Sequence, residues 1–222
     1  MMKISNDTRD VLKNFSTINS GIRVKTGNTL ETISNMKNIL AVATVTEDFP
    51  KNFSIYNLPE FLGATSLLED PEFNFNDTSL SIEDSNSRMD YHYASEGMVT
   101  APDKMITMPE AEITFSITST LLSDLNKAAS VLGVNDLVLT SDGDSQTLTV
   151  KDKKQPTSNT FARVVGEGDG VSYSMNFKIE NLKLLAGNYD VSVSSKGISH
   201  FKNSDVAIEY FIALEPDSSY GV

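Results

Sequence analysis

Few side chains in this 222-residue chain could do covalent chemistry. It holds two histidines, His92 and His200, and no cysteine. Thiolate nucleophiles, thiolate metal sites and disulfides are therefore excluded. The histidines stand far apart, each within a run of strand-like alternation, where a lone His is usually structural. GEGDG at 166–170 has the glycines of a phosphate-cradling loop, but Glu167 and Asp169 would repel a phosphate. SDGDS at 141–145 has the opening spacing of a calcium loop and lacks the later bidentate Glu, so a hairpin turn accounts for it better. The pairs Glu69–Asp70 and Glu83–Asp84 are adjacent carboxylates near strand ends, placed for solvent rather than for general acid–base work. No catalytic residue, metal site or cofactor is expected, and the chain is not expected to be an enzyme.

The basic side chains suggest binding chemistry instead. There are 30 acids against 18 bases, a formal charge of −12. That balance ordinarily argues against a grip on nucleic acid, because phosphate contacts need cations. The placement of the bases points the other way. On a wheel of about 100° per residue, DTRDVLKNFSTI at 7–18 puts Val11, Phe15 and Ile18 on one side. Arg9 and Lys13 lie opposite. STLLSDLNKAASVL at 119–132 lines up Leu121, Leu125, Ala129 and Leu132, with Ser123, Lys127 and Ser130 opposing them. A Lys opposite an apolar stripe is commonly just solvated. Here the arrangement recurs at matching places of an acidic chain.

A repeat explains the matching places. FSIYNLPEFL at 53–62 and FKIENLKLLA at 177–186 share Phe-x-Ile-x-Asn-Leu, 124 residues apart. Phe53 and Ile55, then Phe177 and Ile179, alternate as strands do. Asn57 and Asn181 suit helix N-caps, and Pro59 is tolerated in a first turn. Leu58, Phe61, Leu62 and Thr65 recur at helical spacing, as do Leu182 and Leu185, with Gly187 as a stop. The second of these four helices offers no base on its outer side, which shows Glu60, Gly63, Ala64 and Leu67. The fourth offers Lys183. A meander of three short strands follows each copy, separated by Asn, Asp and Ser turns. A helix followed by strands precedes each copy.

The fold class expected is therefore α+β, with two similar domains, each a duplicated helix-plus-β-meander motif. The domains span 1–98 and 113–222, joined by a linker at 99–112 (VTAPDKMITMPEAE) that carries two prolines. The N-terminus shows no apolar signal segment, and no apolar run is long enough to span a membrane. These features read as a soluble intracellular protein with no membrane partner.

The opening KISNDTRDVLKNFSTINSGI, the segment FSIYNLPEFLG, the linker motif TAPDK, and LLAGNYDVSV through YFIALEPDSS resemble the sliding clamp of T-even-type bacteriophages, most nearly its cyanophage versions. The resemblance runs through essentially the whole chain in order. LKNFSTINSG, AGNY and ALEPDS are its most specific parts, while residues 70–95 and 151–170 match poorly. It implies the DNA clamp fold and the function of DNA polymerase processivity factor. It also implies a closed homotrimeric ring, with twelve helices around the duplex and sheets outside. Implied partners are duplex DNA held without sequence preference, the C-terminal tail of the polymerase, an ATP-driven clamp loader, late-transcription factors and further copies of the chain. The implied location is the cytoplasm of the infected bacterial cell. The DNA-facing positions it implies are Arg9, Lys13, Lys127 and Lys183; Ser130 falls where another base is expected. For the partner pocket or subunit junction it implies Tyr91, Val99, Pro102, Met105, Leu214 and Pro216, all of which could instead simply pack the domain joint. A structural or assembly protein built from the same duplicated domains remains the alternative. It would not raise the run length of a polymerase.

Overall fold

In the computed structural model, which describes residues 1–221, the chain divides into two compact units, Met1–Met105 and Ile106–Val222. The division falls inside residues 99–112, which carry no helix or strand.

The first unit opens with strand β1 (Met2–Lys3) and helix α1 (Asn6–Ile18). Strands β2 (Ile22–Val24), β3 (Gly27–Ile33), β4 (Ile39–Phe49) and β5 (Phe53–Ile55) follow. Helix α2 (Leu58–Thr65) leads into the meander β6 (Glu72–Phe75), β7 (Ser79–Glu83) and β8 (Arg88–His92). β1, β6, β7 and β8 pair antiparallel in that order, as do β2 with β5 and β3 with β4. α1 and α2 pack against each other. α1 buries Thr8, Val11, Leu12, Phe15 and Ile18, the apolar side expected of it. α2 is capped as expected: the Asn57 side chain accepts the Glu60 N–H at 3.2 Å. Leu58, Phe61 and Thr65 are buried on α2, whereas Leu62 lies only half-buried.

The second unit begins with β9 (Ile113–Ile117) and α3 (Ser119–Leu132). The hairpin β10 (Asp136–Asp142) and β11 (Ser145–Lys151) turns at SDGDS. There Asp142 accepts the N–H groups of Asp144 and Ser145, so the hairpin expectation holds. β12 (Phe161–Glu167) and β13 (Ser172–Lys178) come next, then β14 (Tyr189–Ser194), β15 (Ile198–Asn203), β16 (Ile208–Ala213) and β17 (Ser219–Tyr220). One sheet orders β12-β11-β10-β13-β17; β16, β15, β14 and β9 pair in that order in another. α3 packs on β11 and β12. Its buried stripe is Leu122, Leu125 and Ala129; Leu121 and Leu132 are half-buried. The expected stripe runs through Leu121 and Leu132; packing on β11 and β12 instead turns the adjacent Leu122 inward. Gly133 closes the helix at φ 65°, a left-handed position that suits a residue without Cβ.

The expected fourth helix is absent. The second copy of the phrase runs from β13 into a single 3-10 turn, Ile179–Asn181, and then an irregular stretch to β14. Asn181 ends that turn and caps no helix. The physical reason lies at Leu185. Its N–H donates to the Tyr210 hydroxyl at 3.0 Å, and its carbonyl accepts from the Tyr189 hydroxyl at 2.5 Å. Both tyrosines are fully buried. Two side-chain bonds, a tertiary one with Tyr210 and a local one from Tyr189, therefore satisfy the backbone groups a short helix would otherwise pair internally, and a five-residue helix lacks the length to compete. Among the described residues there are three α-helices, so the implied count of twelve in a three-copy ring is not met.

Candidate nucleic-acid interface

α1 is held at its N-terminus by two devices. The Ser5 side chain accepts the Thr8 N–H at 3.2 Å. From β4, the Glu47 carboxylate accepts the Ser5 N–H at 2.5 Å and the Thr8 hydroxyl. Glu47 is buried beside the positive end of the helix dipole. Burial alone would push its carboxyl up, but the bonds from Thr8 and Ser5 outweigh burial and hold it below the ordinary value.

The helix so fixed presents Arg9, half-buried, and Lys13, exposed, on the side away from the core. Lys13 does not stand alone. Its Nζ lies 3.1 Å from Asp10 Oδ1, one turn earlier, and both side chains are more than half exposed. An exposed pair of this kind is worth under about 1 kcal/mol and weakens with salt, so the ammonium exchanges partners readily. On α3, Lys127 is exposed opposite the buried stripe, flanked by exposed Ser123 and Ser130. Arg9 and Lys127 have no ion-pair partner among the described residues. Lys183 lies half-buried on the irregular stretch after Asn181, not on a helix. α2 leaves Glu60 and Gly63 exposed, Ala64 half-buried and, just past its end, Leu67 at 84% exposure, with no base.

The partner-surface candidates fall in both units. In the first, Tyr91 packs on α2: its ring meets Phe61 edge-on at 5.1 Å, and its hydroxyl lies 3.1 Å from Glu60 Oε1. Burial, then the bond to Glu60, pushes the phenol up to about 12. Val99 and Pro102 are buried, while Met105 is 56% exposed. In the second, Leu214 is buried and Pro216 exposed. The 215–218 turn is tied down: Asn176 Nδ2 donates to the Asp217 carbonyl at 3.0 Å, and Lys153 pairs with Asp217 at 2.6 Å.

His200 and Asp84, two of the side chains considered for catalysis, are occupied structurally. His200 stacks on Phe211 at 4.5 Å, and its Nε2 lies 2.8 Å from Glu209. Asp84 accepts three backbone N–H groups, from Glu69, Asn86 and Ser87. Among the described residues no three His, Asp or Glu side chains gather as a metal site, and no helix is long and apolar enough to cross a membrane. Sequence reasoning missed Glu47 and the Asp10 partner of Lys13. Asp10 was visible as an acid three residues before Lys13, a spacing that pairs on a helix. Glu47 carried no local signal, since it lies 42 residues from Ser5.

Comparison with known proteins shows the family. The family profile described as DNA polymerase processivity factor matches residues 5–101, and that of the gp45 sliding clamp, C-terminal part, matches 114–216. The sliding clamp of Vibrio phage KVP40 is 31% identical, over 96% of this chain and 99% of its own. The sliding clamp of Enterobacteria phage T4 is 30% identical over 99% of each. Among solved structures, A. fulgidus PCNA bound to the C-terminal region of FEN-1 matches with a TM-score of 0.71 at 11% identity, covering 95% of this chain and 96% of that one. PCNA from Entamoeba histolytica matches at 0.66 and 14%, covering 93% and 94%. At such identities the structural likeness shows the fold alone.

Proposed function

Because this chain belongs to the sliding clamps, the processivity factors of DNA polymerase, we propose that it works as a closed ring of three copies encircling duplex DNA. The observation that carries this reading is the repeated pattern of α1 and α3. Each buries one stripe and turns Lys13, with Arg9, or Lys127 to solvent from the opposite side, in a chain of net charge −12.

Duplex DNA presents a phosphate charge about every 1.7 Å along its axis. A few exposed ammonium groups can pass from one phosphate to the next without a deep energy minimum. A strongly basic wall would hold the duplex still. Lys13, already sharing its charge with Asp10, trades one exposed carboxylate for a phosphate and back again. The excess of acids elsewhere repels DNA from other surfaces. Attachment is then topological, and no single contact need be tight. The protein performs no chemistry of its own in this reading and acts in the cytoplasm of the infected bacterium. A ring made by one repeating head-to-tail contact has to close or grow into a filament, so loading requires an ATP-driven loader to open it.

The polymerase is tethered by its C-terminal tail, an extended peptide with apolar anchors, at the linker (Val99, Pro102, Met105) or at the Leu214–Pro216 segment. The archaeal clamp-fold protein solved with the C-terminal region of FEN-1 supports tail docking as a mode open to this fold. Late-transcription factors would dock in the same way.

The test is loading by the cognate loader and ATP onto nicked circular DNA, followed by removal of free protein. Retention should be long on the circle. Cutting the circle once should release the protein over the new ends, and blocking both ends should restore retention. An unchanged lifetime after cutting, with ends open, means surface contacts hold the DNA and overturns the reading.

A further inference from the structure

The stretch LKNFSTINSG ends in Asn19-Ser20-Gly21, three uncharged residues with no part in the phosphate contacts above. They form a joint. Asn19 caps the C-terminus of α1, its N–H donating to the Phe15 carbonyl at 3.0 Å. Its side chain is buried and fully engaged. Nδ2 donates to the Ile33 carbonyl at the end of β3 and to the Thr100 carbonyl, each at 2.9 Å. Oδ1 accepts the Gly21 N–H at 3.0 Å. The Ser20 carbonyl accepts the N–H of Leu58, the first residue of α2, at 2.6 Å. Gly21 lies where backbone and linker close in. A Cβ there would meet the carbonyl oxygens of Ile55 and Tyr56 and the Cγ1 of Val99, each at 3.1 Å.

Two further bonds bring the chain to this joint. The Ala94 N–H donates to the Ser54 carbonyl and the Arg23 guanidinium to the Glu96 carbonyl, both at 2.9 Å. Beyond Pro102 the chain is exposed from Asp103 to Thr107. The joint is thus the last side-chain tie on the linker before that exposed stretch.

We propose that Asn19 is the positioning residue that holds Val99–Pro102 against the ends of α1 and α2, and that it thereby sets how the linker is presented to a docking peptide. The second half rests on the reading of the linker as a docking segment given above. Asparagine suits the position because one planar group supplies two donors and an acceptor. Aspartate has the same shape but turns an acceptor oxygen, in the place of Nδ2, toward the two carbonyls. Alanine removes all three bonds and leaves the part-buried Ile33 and Thr100 carbonyls without their amide partner.

The experiment uses the full chain with Asn19→Asp and Asn19→Ala, neither of which touches Arg9, Lys13 or Lys127. Trypsin cleavage after the exposed Lys104 reports opening of the linker, because cleavage follows the open population when reclosing is fast. Both variants should release the 1–104 fragment on the order of tenfold faster than the parent. Hydrogen exchange within α1 should stay unchanged, and the cognate polymerase C-terminal peptide should bind more weakly. Unchanged cleavage in a folded variant overturns the joint. Faster cleavage with unchanged peptide affinity overturns its part in docking, whereas the circle-cutting assay above judges the clamp reading separately. Should neither variant fold, exchange in the parent decides. The Gly21 and Val99 amides should open together, and a Val99 amide that opens far faster than Gly21 overturns the proposal.

Discussion

Replacing Glu47 by Gln tests whether a carboxylate on β4 fixes the helix that carries Arg9 and Lys13. Glu47 is 8% exposed and receives the Ser5 N–H and the Thr8 hydroxyl. Glutamine keeps the size and one acceptor oxygen but loses the charge and turns an NH2 toward one of the two donors. A hydrogen bond to an ionised acceptor is worth about 1.5–3 kcal/mol against about 1 for a neutral one. The charge beside the helix N-terminus adds about 0.3–1 kcal/mol. The net cost is then about 1–3 kcal/mol, a fall in Tm of roughly 2–12 °C for a chain of this size. The pH dependence follows from the direction of the shift. A carboxyl held below its ordinary value in the folded state contributes stability that is present above its unfolded value of 4.5 and lost as pH falls through the folded one. Urea unfolding of both proteins, at one protein concentration, should therefore show a clear gap at pH 7 that narrows as the pH is lowered below 4.5. Equal stabilities at pH 7, or a gap unchanged at low pH, would refute the argument that the ionised carboxylate holds α1.

Changing Lys13 and Lys127 together to Glu leaves both buried stripes intact, so stability should shift by no more than about 0.5 kcal/mol per site. Loading and processive synthesis should fall, and unaltered processivity at moderate salt would remove these residues from the channel. Light scattering at high concentration should give the mass of three chains, declining on dilution; a stable monomer or dimer would sink the ring.

The three helices and both meanders were legible because each rests on a short-range pattern: period-3.6 stripes at Val11, Phe15 and Ile18 or at Leu125 and Ala129, and period-2 runs broken by Asn, Asp and Gly. Leu182 and Leu185 carry the same spacing, yet no helix forms, because Tyr210 reaches the Leu185 N–H from a later strand while Tyr189, four residues on, takes its carbonyl. No local pattern announces a tertiary hydrogen bond. The interface divides in the same way. The exposure of Lys13 and Lys127 follows from amphipathicity. The Asp10 pair needed one more look at spacing, and Glu47 and Asn19 act across tens of residues on backbone groups that every sequence possesses.

The departure at Leu185 also bears on how freely the two copies of the phrase could trade places. Grafting residues 53–65 over 177–189 would put a threonine in place of Tyr189 and a helix where the Tyr210 hydroxyl now meets an open backbone. It would also bring in a Phe61 severed from the Tyr91 ring it meets edge-on. Each copy has acquired supports from outside itself: Tyr210 in one, Tyr91 and the Ser20 carbonyl in the other. The copies remain alike as text and have ceased to be interchangeable parts. A chimaera that swapped them would inherit the matching letters and lose the scaffolding that gives each its shape.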